Sequence, residues 1–229
     1  MFVLVAVSPS NAATPGCDVA EASHCYSVVE ADNDGVRYWV HGTWNRANMA
    51  SGATSANRQY IDSEMWFIRH AGSKCDGWLE TGDTQGFFKP DNAPADVGYF
   101  AFTAWFTPTA AGCVGTYSER SFGSITPNDA VTDEFQISRS TSTNRWRVYF
   151  DGNSTLSPDL KFWSGYFIEY GGEVGTPAGV AHDFNMTMRA YDASGNLLLI
   201  GDESKQEVKD PPLYGFRTGE STWRWKVRP

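Results

Sequence analysis

The sequence predicts an all-β protein, folded as a two-sheet antiparallel β-sandwich or jelly roll. Alternating, aromatic-rich runs recur along the chain, and each is bounded by Gly, Pro, Asn, Asp or Ser. No segment keeps an apolar stripe at helical spacing for three turns, which argues against amphipathic helices. The runs follow one another every 8–15 residues or so, roughly the spacing of strands in sandwiches and barrels.

The strands are predicted from period-two alternation, and turn sequences such as Ala193–Asn196 separate them. Near the C-terminus, Trp223 and Trp225 predict a last strand that docks back onto the domain. The predicted strands in chain order are Val36–Val40, Tyr60–Ile68, Trp78–Thr81, Tyr99–Phe106, Glu134–Arg139, Arg145–Phe150, Phe162–Tyr170, Phe184–Tyr191 and Leu197–Ile200.

Length and composition predict one domain. The 229 residues are 41% hydrophobic and 14% aromatic, which is enough to build a sizeable core, and no linker or composition shift divides them. We expect residues 1–13 to be the remnant of a secretory signal, residues 14–25 an N-terminal arm, and residues 26–229 the β-sandwich. The apolar run Met1–Val7, followed by small residues near Ala13, favours the signal, with a buried N-terminal strand as the alternative.

Charge and cysteine content point to an extracellular protein. A net charge of −9 argues against nucleic acid or an anionic membrane as partner, and no apolar stretch of the sequence is long enough to span a bilayer. We expect a secreted monomer. The four cysteines favour disulfides over zinc, because no C-x-x-C pair is present. Of the three pairings open to them, we favour Cys17–Cys25 together with Cys75–Cys113.

Carboxylates in strand-like segments are the candidate catalytic groups. The chain has no G-x-S-x-G, H-E-x-x-H, P-loop or dinucleotide motif, so we expect no metal and no cofactor. Glu64, Glu80, Glu169 and Glu173 lie among aromatic and aliphatic residues, where an unpaired charge is costly. If two of them meet, one can hold a proton while the other acts as a base. For each Glu alone, a solvent-facing strand position or a buried salt bridge is the alternative.

Four short segments resemble, in order, those of the neprosin family of secreted glutamic peptidases. They are Tyr60–Trp66, Leu79–Gly82, Asn144–Tyr149 and Glu169–Glu173, and the last, Glu-Tyr-Gly-Gly-Glu, is the most specific. The resemblance implies a concanavalin-like β-sandwich, distantly similar to fungal glutamic peptidases, and a polypeptide substrate.

Carried over by position, the two catalytic glutamates of that family fall on Glu80 and Glu173. The implied reaction is attack of water on a peptide carbonyl in acid. We take Glu173 as the base and Glu80 as the acid, although the sequence leaves the reverse assignment open. The residues expected to line the substrate groove, with sandwich core as the alternative for the aromatic ones, are Trp66, Trp78, Tyr170, Gly171, Gly172, Glu64 and Glu169.

Two other functions stay open at this point. Nine Trp and ten Tyr could stack on sugars, which suits a carbohydrate-binding or carbohydrate-cleaving jelly roll. An inactive relative of the peptidases is the other.

Overall fold

Two antiparallel sheets make up the described part of the chain, in a computed structural model. The structure describes residues 24–31, 37–46, 54–56, 58–69, 77–110, 114–140, 145–156, 160, 166–175, 182–192, 194–198, 204–208, 213–217 and 222–227. No helix occurs in these ranges, so the described part of the chain contains no helix that could cross a membrane. The all-β sandwich predicted from the sequence is confirmed.

The strands follow the chain in simple order. They are β1 (His24–Ala31), β2 (Arg37–Arg46), β3 (Tyr60–Arg69), β4 (Gly77–Phe88), β5 (Asp96–Ala110), β6 (Val114–Ser124), β7 (Asn128–Arg139), β8 (Trp146–Phe150), β9 (Asn153–Leu156), β10 (Tyr166–Gly175), β11 (His182–Asp192), β12 (Leu197–Leu198), β13 (Ser204–Val208), β14 (Leu213–Arg217) and β15 (Thr222–Val227).

One sheet has seven strands in the order β13-β1-β10-β3-β4-β5-β6. The other has eight, in the order β14-β15-β11-β2-β7-β8-β9, and β12 pairs with β11 at its side. The last strand expected around Trp223 and Trp225 is β15, which pairs with β11.

The core lies between the inner faces of the two sheets. Period-two alternation sends Ile61, Met65 and Phe67 of β3 inward, where they join residues of the opposite sheet in one apolar cluster. Phe67 meets Trp146 with ring centroids 5.1 Å apart. Burying a side chain of this size contributes about 1.5–3 kcal/mol, so the cluster makes a large contribution to stability.

Two polar groups are also enclosed between the sheets. Asp83 of β4 is fully buried and accepts a hydrogen bond of 2.5 Å from the Tyr99 hydroxyl. Asp133 of β7 is fully buried too, and the Arg46 Nε donates to both of its oxygens at 2.8 and 2.7 Å. Each carboxyl group is thus held by a specific side-chain donor.

A strap binds the edge strand β6 of the seven-stranded sheet. The strap is the β4–β5 connection, residues 89–95, and it reaches past β5 to the edge strand β6. Asp91 exchanges hydrogen bonds with the backbone of Glu119, and Asn92 with that of Ser121. Beside it lies a second apolar cluster on the outer face, formed by Phe88, Phe100, Phe102 and Ala104.

Candidate functional site

The candidate site lies on the outer face of the seven-stranded sheet. Since Ile61, Met65 and Phe67 point inward, the alternate residues Asp62, Glu64 and Trp66 of β3 point outward. The same alternation places Trp78 and Glu80 of β4 outward, and Glu169, Gly171 and Glu173 of β10. Most of the site residues expected from the sequence therefore share one face.

Strand register arranges these side chains in rows across the sheet. In one row, which we call the acid row, Glu169 pairs with Trp66, Trp66 with Glu80, Glu80 with Ala104, and Ala104 with Glu119. The Trp66 side chain also makes a hydrogen bond with the Glu80 carboxyl group. Trp66 therefore helps to position Glu80.

Glu64 lies in the next row, between two glycines. It pairs with Gly82 on β4 and with Gly171 on β10. A Cβ added at Gly82 would lie 2.7 Å from the Cα of Glu64, so no larger residue fits there. The glycine lets β4 approach β3 closely at this carboxylate.

The Glu64 side chain is buried without a hydrogen-bond partner. It is 0% exposed, and neither of its carboxylate oxygens has a partner within the described part of the chain. A buried charge in that state is expensive, and a neutral, protonated carboxyl group is the cheaper form. Burial, followed by the charges of Glu80 and Asp62, raises the pKa of Glu64 well above its usual value.

A third row carries Glu173 and Asp62. Glu173 pairs with Asp62, and Asp62 with Thr84. The Tyr60 hydroxyl donates a hydrogen bond of 2.5 Å to Glu173 Oε1. Burial and then the Glu173 charge raise the pKa of Asp62 well above its usual value.

Asp62, Glu64 and Glu173 form a compact group of oxygen ligands. One carboxylate oxygen from each lies within 4.8 Å of the other two, and all three residues are buried. Such a group could be neutralised by a hard cation or by protons, since oxygen donors suit ions such as Ca²⁺. Burial and the neighbouring carboxylates raise the pKa values of Asp62 and Glu64, so protons are one way to neutralise the group.

Two further carboxyl groups of the acid row also favour the neutral form. Burial and then the charge of Glu173 raise the pKa of Glu80 well above its usual value. Burial raises the pKa of Glu119 to about 7 against a hydrogen bond from Tyr117 that lowers it. This face therefore carries several carboxyl groups that can hold and give protons.

The predicted pair Glu80 and Glu173 is not level across the sheet. Glu80 is in register with Glu169, through Trp66, whereas Glu173 lies four residues further along β10. Glu173 is nevertheless the charge that affects the pKa of Glu80 most. The structure thus offers two partners from β10, one level with Glu80 and one electrostatically coupled to it.

Two groove residues expected from the sequence lie on the other face. Tyr170 is 0% exposed and belongs to the core between the sheets, so its alternative role as core is the correct one. Gly172 alternates inward with it. Period two requires this, because Glu169, Gly171 and Glu173 point outward.

Two residues of the site were missed in the sequence. Asp62 could have been found, because it precedes Glu64 by two residues and so shares its face. Glu119 could not, because β6 is rich in Gly and Ser and gives little strand signal.

The predicted disulfides and leader fall largely outside the described residues. Cys17, Cys75 and Cys113 are not among them, nor is the side chain of Cys25, so both pairings remain predictions. The same holds for residues 1–13 and for most of the predicted arm. β1 begins at His24, two residues before the predicted start of the domain.

Comparison with known proteins supports the fold. No family model and no curated protein sequence matches the chain. Among solved structures, scytalido-glutamic peptidase with a transition-state analogue inhibitor superposes with a TM-score of 0.54 at 10% identity, covering 90% of this chain and 98% of that one. SCP-B, an eqolisin-family peptidase in complex with the tripeptide Ala-Ile-His, gives the same TM-score, identity and coverage. At such low identity these matches concern the fold alone, and they show that it is glutamic-peptidase-like.

Proposed function

We propose that this protein is a secreted, acid-active endopeptidase that uses outer-face carboxyl groups to activate water on a peptide bond. The observation that carries the proposal is the buried acid cluster on one sheet face, in which Glu64 has no partner for either oxygen. A polypeptide as substrate and a monomeric protein are part of the proposal. The glutamic-peptidase-like fold supports it.

The proposed reaction needs one protonated and one ionised carboxyl group. Carboxylates close together cannot both ionise cheaply, so they titrate as a coupled set. Glu173 accepts a proton from water, whose oxygen then attacks the peptide carbonyl carbon. Glu80, kept neutral by burial and by Glu173, donates a hydrogen bond to the carbonyl oxygen and later protonates the leaving amine.

Acid activity follows from the direction of the pKa shifts. Glu80 must carry a proton to act as the acid, and its raised pKa keeps that proton at mildly acidic pH. As the pH rises through the raised pKa, Glu80 loses the proton and the rate falls.

The test is cleavage of an unfolded protein substrate at about pH 3.5 and about pH 7 by the wild type and by single variants. We expect Glu80→Gln and Glu173→Gln to lower kcat by about 10²–10⁴-fold. Glu134→Gln, in β7 of the other sheet, is the matched control and should cleave normally. A chelator should leave the activity unchanged.

The Glu169→Gln variant tests whether Glu169 or Glu173 of β10 is the catalytic partner of Glu80. If it lowers kcat as much as Glu80→Gln while Glu173→Gln does not, the pair is Glu80 with Glu169, as the register allows. Cleavage that survives all three substitutions would refute the carboxylate mechanism. Absence of cleavage together with retention on a polysaccharide column would support the carbohydrate-binding alternative.

A further inference from the structure

Three aromatic residues form a row beside the acid row. Trp78 of β4 pairs with Phe106 of β5, and Phe106 pairs with Tyr117 of β6. The ring centroid of Trp78 lies 6.3 Å from that of Phe106 and 5.8 Å from that of Tyr117. We call these three residues the aromatic row.

The aromatic row lies on the same face as the carboxyl groups, and its member on the edge strand, Tyr117, is open to solvent. Tyr117 is 52% exposed, one of the few large apolar or aromatic residues exposed in the described part of the chain. Trp78 and Phe106 are half-buried. The Tyr117 hydroxyl makes a hydrogen bond with Glu119, and its ring contacts that of Trp78 edge-on. An ordered, exposed aromatic surface of this kind is typical of binding sites.

The distance between the two rows matches a peptide. Along β4, Trp78 precedes Glu80 by two residues, which is about 6.6 Å in a strand. In an extended peptide, side chains on one face recur at the same interval. A peptide lying along β4 with its carbonyl over Glu80 therefore places the side chain two residues away over Trp78.

The aromatic row adjoins the second apolar cluster. Ala104 separates Glu80 from Glu119 in the acid row, and it is 0% exposed within that cluster. Trp78 packs against the same cluster, which holds its ring beside Glu80.

We propose that the aromatic row is a substrate subsite that takes an aromatic or large aliphatic side chain, two residues from the scissile peptide bond. This inference rests on the proposed peptidase function. An apolar substrate side chain gains binding free energy on these rings by burying apolar area and by stacking. A cationic side chain would instead need a fixed negative charge nearby. Glu119 lies two residues from Tyr117 on β6, and burial raises its pKa to about 7, which leaves it neutral in acid.

Binding is tested without turnover, with the full-length Glu80→Gln variant. The probes are extended peptides of one length that differ at a single position, which is Phe, Leu, Ala or Lys, and calorimetry gives their Kd at about pH 4. We expect the Phe and Leu peptides to bind about tenfold more tightly than the Ala peptide. Adding Tyr117→Ala should remove most of that preference, and Tyr117→Phe should keep it.

A second readout uses the active protein. Tyr117→Ala should raise KM for the Phe peptide about tenfold and leave KM for the Ala peptide unchanged. Thr116→Ala, next to it in β6, is the matched control and should behave as wild type.

The outcomes separate this inference from the proposed function. Equal binding of Phe and Ala peptides, or an unchanged preference in Tyr117→Ala, would overturn the subsite even if the protein cleaves. Tighter binding of the Lys peptide would overturn the apolar class. Selective binding of the Phe peptide without any cleavage by the wild type would keep the subsite and refute the peptidase.

Discussion

Asp83 should make the fold more stable in acid than at neutral pH. It is fully buried between the sheets, and burial raises its pKa to about 7 although the Tyr99 hydroxyl lowers it. A group with a raised folded-state pKa contributes its full stability below the unfolded pKa, here near 3.8, and loses it as the pH rises toward 7. Asp83→Asn should abolish this loss, because Asn resembles the protonated acid.

The size of the effect follows from the shift. Each pKa unit corresponds to about 1.4 kcal/mol, so a rise from 3.8 to about 7 corresponds to about 4 kcal/mol for Asp83. Small domains are stable by only about 5–15 kcal/mol, so this single group matters. We expect Asp83→Asn to match the wild type within about 1 kcal/mol near pH 3.5, and to exceed it by about 3–4 kcal/mol near pH 8.

Urea unfolding at several pH values between about 3 and 8 measures the effect. Between about pH 4 and 7 the wild type should lose about 1.4 kcal/mol of unfolding free energy per pH unit through Asp83, and Asp83→Asn should lack this loss, so that its slope against pH is higher by that amount. Asp96→Asn, at an exposed position, is the matched control. If the unfolding free energy of wild type and Asp83→Asn changes with pH in parallel, with or without a constant offset between them, the reasoning is refuted.

Three other predictions concern the site around Glu64 on the outer face and the Arg46–Asp133 pair between the sheets. Glu64→Gln should raise the melting temperature at neutral pH and leave it unchanged near pH 3.5, because it removes a buried acid without partners; a lower melting temperature at neutral pH would contradict this. Gly82→Ala should destabilise the fold by roughly 1–3 kcal/mol in urea, since its Cβ would lie 2.7 Å from the Glu64 Cα; unchanged stability would count against the close approach. Arg46→Met should cost about 3–5 kcal/mol, because it strands the buried Asp133 carboxylate. Adding Asp133→Asn should restore much of that loss.

Alternation predicted the fold and most of the site face. Strands β3, β5 and β11 lie where the sequence places them, because aromatic and β-branched residues alternate there with polar ones. The strand predicted to end at Tyr170 instead continues to Gly175, since pairing with β3 holds the two glycines extended. β6 was missed because its Gly and Ser content hides the pattern.

The register between strands distant in the chain could not be predicted from the sequence. Placing Glu169 level with Glu80 depends on how β10 and β4 pair with β3, and a slip of one residue would send every side chain to the other face. Local patterns fix which face a residue takes, but not its neighbour two strands away. For that reason the sequence named the carboxyl groups of the site and left their pairing open.

The buried acids also change how the molecule moves in an electric field. The formal net charge of −9 counts every carboxylate as ionised, yet Asp83 and Glu119, each with a pKa of about 7, hold protons in mild acid. Each retained proton makes the native protein one unit less anionic than its composition indicates. Unfolding at constant mild acidity should therefore release these protons to the solvent.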